Sequence, residues 1–378
     1  MSNRVLLAII ILLVAATAVS AGTVTYCIKE LPSLPGAVGG RGAQAINEKG
    51  QIAGTMLTAN KQDHAVIWDS DINIKDLGAL PGDTVSWGLG INDLGQAVGW
   101  SAGAGNKHKH AVVWEADGKI RDLGTLGGEV SEARAINSRG WVVGVSTRKE
   151  GPKHAFLWKP ESGITDLGSL GLESEATDID DFGRVVGWSY DSSGYIHAVL
   201  WEPDGTMKDL GETLGMDASS AVSINASGRI AGKSGSTCGS GMAFLWDPKD
   251  GLTDLGLLKD LPRFSGFLDP PPVPMSTATA LNDSGCVVGW SRGKDTQSHA
   301  FLWSRDTGMI DLGCLTLPSE QPKPDPDTRK AKTSKFLLGT SVVFGRGSGW
   351  SNVHDINNVG IIVGSSNGRA VVWTPLGR

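Results

Sequence analysis

The 378-residue chain holds 52 glycines, 13 tryptophans and only 3 tyrosines, with 20% charged residues and a formal net charge of -6. Such a composition belongs to a turn-rich globular chain with a packed core and excludes wholesale disorder. The negative balance gives no electrostatic footprint for a polyphosphate or an anionic membrane surface, so nucleic acid is not an expected partner.

The first element is a leader. Arg4 precedes an uncharged run from Val5 to Ala18, and Val19-Ser20-Ala21 supplies the small residues of a cleavage site, so residues 1–21 read as a secretory signal peptide. The strongly apolar part is about 15 residues, short of the ~20 that a spanning helix needs. The expectation is an extracellular or periplasmic protein with no transmembrane segment in the mature chain. Residues 22–378 would then form one domain.

Beyond the leader one unit is written seven times. Ile-Asn-x-x-Gly or a close variant places Asn47, Asn92, Asn137, Asp180, Asn225, Asn282 and Asn357 at one position, with a second glycine seven residues on at Gly54, Gly99, Gly144, Gly187, Gly232, Gly289 and Gly364. A tryptophan closes a short apolar run in each unit: Trp68, Trp114, Trp158, Trp201, Trp246, Trp303 and Trp373. Eight residues after the first six stands the aspartate of Asp-Leu-Gly: Asp76, Asp122, Asp166, Asp209, Asp254 and Asp311.

In the third unit "ARAIN" alternates and stops at "NSRG", where Asn137 can bond its own backbone and Gly140 supplies a positive φ. "WVVGVS" returns, "HAFLW" forms a third strand, and "ITDLG" follows a glycine-containing turn as the fourth. Four antiparallel strands in a period of about 45 residues make a β-propeller blade. The last unit stops after three strands, at "AVVWTPLGR", whereas "CIKELPSLPG" precedes the first unit and aligns with "NIKDLGALPG". The N-terminal segment therefore completes the last blade, and a closed ring hides the sheet edge that an open array would expose. The predicted fold is all-β: a seven-bladed propeller of four-stranded antiparallel blades, closed by pairing of the two chain ends.

These units resemble the HAF repeats of probable extracellular bacterial proteins, through His154-Ala155-Phe156 and His299-Ala300-Phe301 and their variants along almost all of the mature chain. Met242 and Arg369 depart from the pattern in place of the histidine, and Asp180 in place of the asparagine. The resemblance implies export and a propeller-like fold, and it lends no activity.

Five in-register histidines (His64, His110, His154, His197, His299) do not make a shared metal site, because equivalent positions on neighbouring blades lie on the order of 15 Å apart by strand spacing and ligation needs ~2 Å. The expectation is a structural pairing inside each blade, an imidazole or an indole N–H donating to the later aspartate. Asp69–Asn73 and Asp178–Asp181 are similar to calcium loops but lack the bidentate glutamate and the glycine spacing, so no metal or cofactor is expected. Cys27, Cys238, Cys286 and Cys314 are scattered singly, without Cys-x-x-Cys; three pairings are open to them, but the core rather than a disulfide framework is expected to hold the fold.

The candidate binding residues are aromatic. Trp100, Trp188 and Trp290 follow the second glycine in alternate units and lead into the variable loops, where an aromatic face can stack on a sugar. Phe264 and Phe267 lie in the first large insertion (residues 259–276), and Trp350 near the end of the second (residues 318–351). Both insertions fall between a fourth strand and the next first strand, on the same face as the variable second-to-third loops. No Gly-x-Ser-x-Gly, His-Glu-x-x-His, phosphate loop or dinucleotide fingerprint is present. The reading is an exported, non-enzymatic binding module for a glycan, a cell-envelope component or a protein. The alternative is a carbohydrate-active lyase or hydrolase at the variable-loop end of the channel.

Overall fold

The structure, a computed structural model, describes residues 25–37, 40–106, 108–235, 241–258, 275–292, 297–315 and 350–376. The leader, Cys238, Phe264 and Phe267 lie outside the described residues, as do most of the two insertions.

Seven separate four-stranded antiparallel sheets account for the strands, each in simple meander order. In the third blade these are Gly127–Ile136, Val142–Arg148, His154–Lys159 and Gly163–Gly168. The first strands of the seven blades are Gly40–Ile46, Val85–Ile91, Gly127–Ile136, Ser174–Ile179, Ala218–Ile224, Met275–Leu281 and Ser351–Ile356. Each contacts the first strands on either side, and Ser351–Ile356 contacts Gly40–Ile46, so the seven form a closed inner ring around a channel. A short α-helix, Leu210–Leu214, sits in the connection from blade 4 to blade 5.

The seventh blade is composite. Its order is Thr25–Glu30, Arg369–Leu376, Ile362–Ser366, Ser351–Ile356, with Lys29 opposite Val372 and Glu30 opposite Val371. The expected closure is therefore what is found. The substitutions at this blade compensate one another: where other blades carry histidine and aspartate, Arg369 Nη1 donates to Glu30 Oε2 at 2.6 Å.

The turn between first and second strands explains the asparagine. Asn137 Oδ1 accepts from the N–H groups of Arg139 and Trp141 at 3.1 and 3.0 Å, and Gly140 takes φ 74°. The amide nitrogen does a second job. Asn47 Nδ2 donates to the Asn92 carbonyl, Asn92 to Asn137, Asn137 to Asp180, Asn225 to Asn282, Asn282 to Asn357, and Asn357 back to Asn47, at 2.9–3.2 Å. A carboxylate cannot donate, and at Asp180 Arg184 takes over, pairing with the Asp180 carboxylate while its Nη2 reaches the Ala226 carbonyl of the next blade at 3.0 Å. The turns are thus linked around the axis.

Every first strand carries a bulge three residues before the turn residue, at Gln44, Leu89, Arg134, Thr177, Val222, Thr279 and His354. A bulge bends its strand and turns a carbonyl out of line, which accounts for the second glycine: a Cβ on Gly144 would overlap the Glu132 carbonyl oxygen, and one on Gly99 that of Trp87.

The core lies between blades. Each of the seven seams holds its own apolar cluster, such as Val98, Ala111 and Val113 of blade 2 against Ile136, Val142, Phe156 and Trp158 of blade 3. Trp68, Trp114, Trp201 and Trp373 are fully buried in these seams. Burying an indole dominates the energetics of such a contact, so the repeated tryptophan is the anchor of each seam.

Candidate functional site

The histidines and aspartates lie on the outer hairpin of each blade. His64, His110, His154 and His197 present Nδ1 to Asp76, Asp122, Asp166 and Asp209 at 2.9, 2.7, 2.8 and 2.7 Å, and His299 lies 3.6 Å from Asp311. These carboxylates also accept a backbone N–H group, from two residues on at Gly168 and, where Met242 replaces the histidine, at Gly256 with Asp254, and from three on at Glu212 with Asp209. The indoles do not reach the carboxylate: Trp68 donates to the Pro32 carbonyl and Trp373 to that of Leu312, while Trp114 and Trp201 find no partner for Nε1 among the described residues. The carboxylate therefore pairs with the imidazole. Its bond to Asp76 holds His64 above the ordinary imidazole value against the opposing effect of burial. Burial pushes Asp76 up, but its bonds from His64 and Gly78 hold it below the usual carboxylate range. Among the described residues no three His, Cys, Asp or Glu side chains converge to hold a metal ion. No disulfide links Cys27, Cys286 and Cys314 to one another.

The aromatic candidates fall at different depths. Trp100 is 7% exposed; it stacks on Trp87, centroids 5.6 Å apart and 12° between planes, with Lys109 Nζ 4.5 Å over its ring. Trp188 is half-buried opposite Glu175 and meets Tyr190 edge-on at 5.6 Å. Trp290 is half-buried opposite Thr277. Trp350 is 39% exposed at the loop-face entrance to the last first strand, its N–H donating to Asn367. The structure brings Trp100 together with Trp87, a residue sequence reasoning did not single out.

With seven copies of one element in register, the repeats can be compared with one another. One residue before the turn asparagine every first strand has Ile or Leu. Five residues before it, the chain writes Gly42, Trp87, Glu132, Glu175, Ser220, Thr277 and Asn352. All of these but Gly42 are half-buried on the innermost strands. This column lies toward the loop-face mouth of the channel, and its chemistry changes from blade to blade, as that of the bulge column does. An indole stands on blade 2, carboxylates on blades 3 and 4, and neutral hydrogen-bonding groups on blades 5 to 7.

Neighbouring side chains order the charged part. Lys109 Nζ bonds Glu132 at 2.9 Å, Arg134 lies 3.3 Å from Glu132, and Arg134 Nε bonds Glu175 at 2.7 Å. The two cations and two carboxylates form a fixed arc from the Trp87–Trp100 stack to Trp188.

Deeper in the channel two carboxyl groups bridge seams. Asp178 accepts from Ile179 N at 2.8 Å and from Ile224 N and Ser223 Oγ of the next blade at 2.9 Å. Asp355 accepts from Ile356 N and from Ile46 N of blade 1, both at 2.8 Å. Hemmed in by protein, they are pushed up to about 6 and about 7, burial outweighing the donors. Beside them His354 donates from Nδ1 to the Ala43 carbonyl at 2.7 Å, and burial holds its imidazole below the ordinary value. Within "DIDD", Asp178 spans a seam and Asp180 caps a turn.

No protein-family model and no curated protein matches the chain. Among solved structures it is similar to TolB from Acinetobacter baumannii, at 15% identity and TM-score 0.45, covering 68% of this chain and 62% of that one. A streptogramin B lyase is similar at 11% identity and TM-score 0.46, covering 93% and 98%. A gluconolactonase from Xanthomonas campestris is similar at 9% and 0.42, covering 94% and 98%. At these values no activity carries over. Among the described residues no helix is long and apolar enough to cross a membrane.

Proposed function

We propose that this chain is an exported HAF-repeat propeller that binds a glycan at the loop-face mouth of its channel. One observation carries the reading: where the Ile/Leu and turn columns of the seven strands repeat from blade to blade, the column of Trp87, Glu132, Glu175, Ser220, Thr277 and Asn352 toward the loop face differs at nearly every blade, as the bulge column after it also does. A side chain needed only for packing would repeat with the packing. An aromatic face flanked by carboxylates, hydroxyls and an amide suits a polyhydroxylated ligand, apolar on its ring faces and hydrogen-bonding at its rim. Trp188 and Trp290 extend the aromatic surface, Trp100 backs Trp87, and Trp350 belongs to the same face. Residues 1–21 supply the export signal, and residues 22–378 the single domain.

The test is retention on a panel of insoluble polysaccharides, with Trp87→Ala compared with the unaltered protein. Retention that falls at least tenfold in the variant supports the reading, and no retention on any member of the panel contradicts it.

Cleavage is the second reading. It is favoured by Asp178 and Asp355, whose raised pKa values leave a fraction protonated near neutrality, as a general acid requires. New reducing or unsaturated ends released from a retained polysaccharide, and lost in Asp355→Asn, would establish it.

A further inference from the structure

The seams between blades are fastened by serine side chains, and one seam is not. In six seams an alanine N–H of one blade donates to a serine Oγ on the first strand of the next: Ala65 to Ser86, Ala111 to Ser131, Ala155 to Ser174, Ala198 to Ser219, Ala243 to Ser276 and Ala300 to Ser351, at 2.9–3.0 Å. Four of these hydroxyls are seen to donate onward to the glycine carbonyl of Asp-Leu-Gly, as Ser174 does to Gly168 at 2.7 Å. A second serine, on the second strand, accepts from a leucine N–H across the seam, as Ser189 does from Leu170 at 2.9 Å.

At the seam between blade 7 and blade 1 both serines are replaced. Gly40 stands opposite Met56 as Ser86 stands opposite Ser101, so the glycine holds the register place of the first serine and Met56 that of the second. Arg41 is the extra residue of a bulge, and its guanidinium goes to Asp63 at 2.9 Å. A Cβ on Gly40 would lie 3.7 Å from the Ala370 nitrogen, the amide equivalent to the six that serines cap. A cavity of about 230 Å³ opens there, walled by Glu30, Ser33, Gly40, Met56, Arg369 and Ala370.

We infer that this socket takes the hydroxymethyl group of a hexose unit in the bound glycan. The serine side chain is itself a CH2–OH, and its six copies show which group the seam receives and how it is held. An exocyclic hydroxymethyl presents the same group on a rotatable bond. The Glu30–Arg369 pair at the wall offers an acceptor and donors to neighbouring ring hydroxyls. The inference rests on the glycan reading, adding a second contact at the blade 7–blade 1 seam, with blade 1 between it and Trp87.

The probes are cellohexaose and xylohexaose, which share a β-1,4 linkage and differ in the hydroxymethyl. Titration calorimetry on the unaltered protein is expected to show cellohexaose bound about tenfold tighter, the equivalent of about 1.4 kcal/mol. In Gly40→Ser/Met56→Ser the protein's own hydroxyls fill the seam. The preference is then expected to vanish. Gly40→Ala, whose methyl displaces only the end of the Met56 side chain, should reduce the preference if the double variant fails to fold. Trp87→Ala should weaken both sugars alike. Hydrogen exchange without ligand gives a separate readout: Ala370 should exchange faster than Ala65 or Ala155. Binding of neither sugar overturns the socket, and the glycan reading falls with it only if the polysaccharide panel also shows no retention. Equal binding of the two, a preference that survives both variants, or Ala370 protected like its counterparts overturns the socket alone.

Discussion

At the residue scale the turn asparagine separates two roles that a sequence does not distinguish. Asn137 caps its own turn through Oδ1 and reaches the next blade through Nδ2. Asn137→Asp keeps the cap and loses the donor, so it should cost about 0.5–1.5 kcal/mol in urea melts, the worth of one hydrogen bond. Asn137→Ala loses both and should cost more. The channel carboxyls give a pH dependence. Asp178 and Asp355 titrate in the folded state at about 6 and about 7, above the ~3.9 of an unfolded aspartate. The folded chain therefore binds protons that the unfolded chain has released, and stability falls as pH rises from about 4 through 7. His64, raised by Asp76, has the same sign, its contribution present at low pH and lost as pH passes its folded value. Asp355→Asn should flatten this decline in melting temperature, and an unchanged profile would show that Asp355 is not the titrating group.

At the element scale the four strands of a blade, their turns and the seven-fold period were all legible, because each is a local pattern of alternation, glycine and turn residue. The bulge was not legible. It is one residue of excess with no composition of its own, and only the second glycine hints at it, since Gly144 is needed where the bulged strand turns the Glu132 carbonyl toward it. Gly144→Ala should therefore cost about 1–3 kcal/mol, as overpacking does, whereas alanine at Val145 should cost less because its neighbours can close over it. Trp87, Glu132 and Glu175 were readable in principle by aligning the first strands on their asparagines. The tryptophans after the second glycine are the more regular signal, and the structure places one of them, Trp100, against Trp87. The serine clasps were present as a column as well, but their meaning needs the contact between one blade's alanine and the next blade's hydroxyl.

At the scale of the whole molecule, closure is what makes the columns rings. Thr25–Glu30 completes the sheet begun by Ser351–Ile356, and the Asn357 amide reaches the Asn47 carbonyl across the same seam. Removing residues 25–30 should expose the Arg369–Leu376 edge, broaden the thermal transition and promote association through the bare strand. A cooperative, monomeric melt in the truncated chain would mean that the ring does not need its seventh outer strand.

The division of labour between constant and variable columns is tested most directly by comparing Trp87→Ala with Ser131→Ala, one change in each. Melting temperature and polysaccharide retention are measured on both. Trp87→Ala should lose retention at least tenfold with little change in melting temperature, and Ser131→Ala, which removes one seam clasp, should lower the melting temperature while retention persists. Retention unaffected by Trp87→Ala, or abolished by Ser131→Ala in protein that is still folded, would contradict the assignment of the channel mouth as the recognition surface.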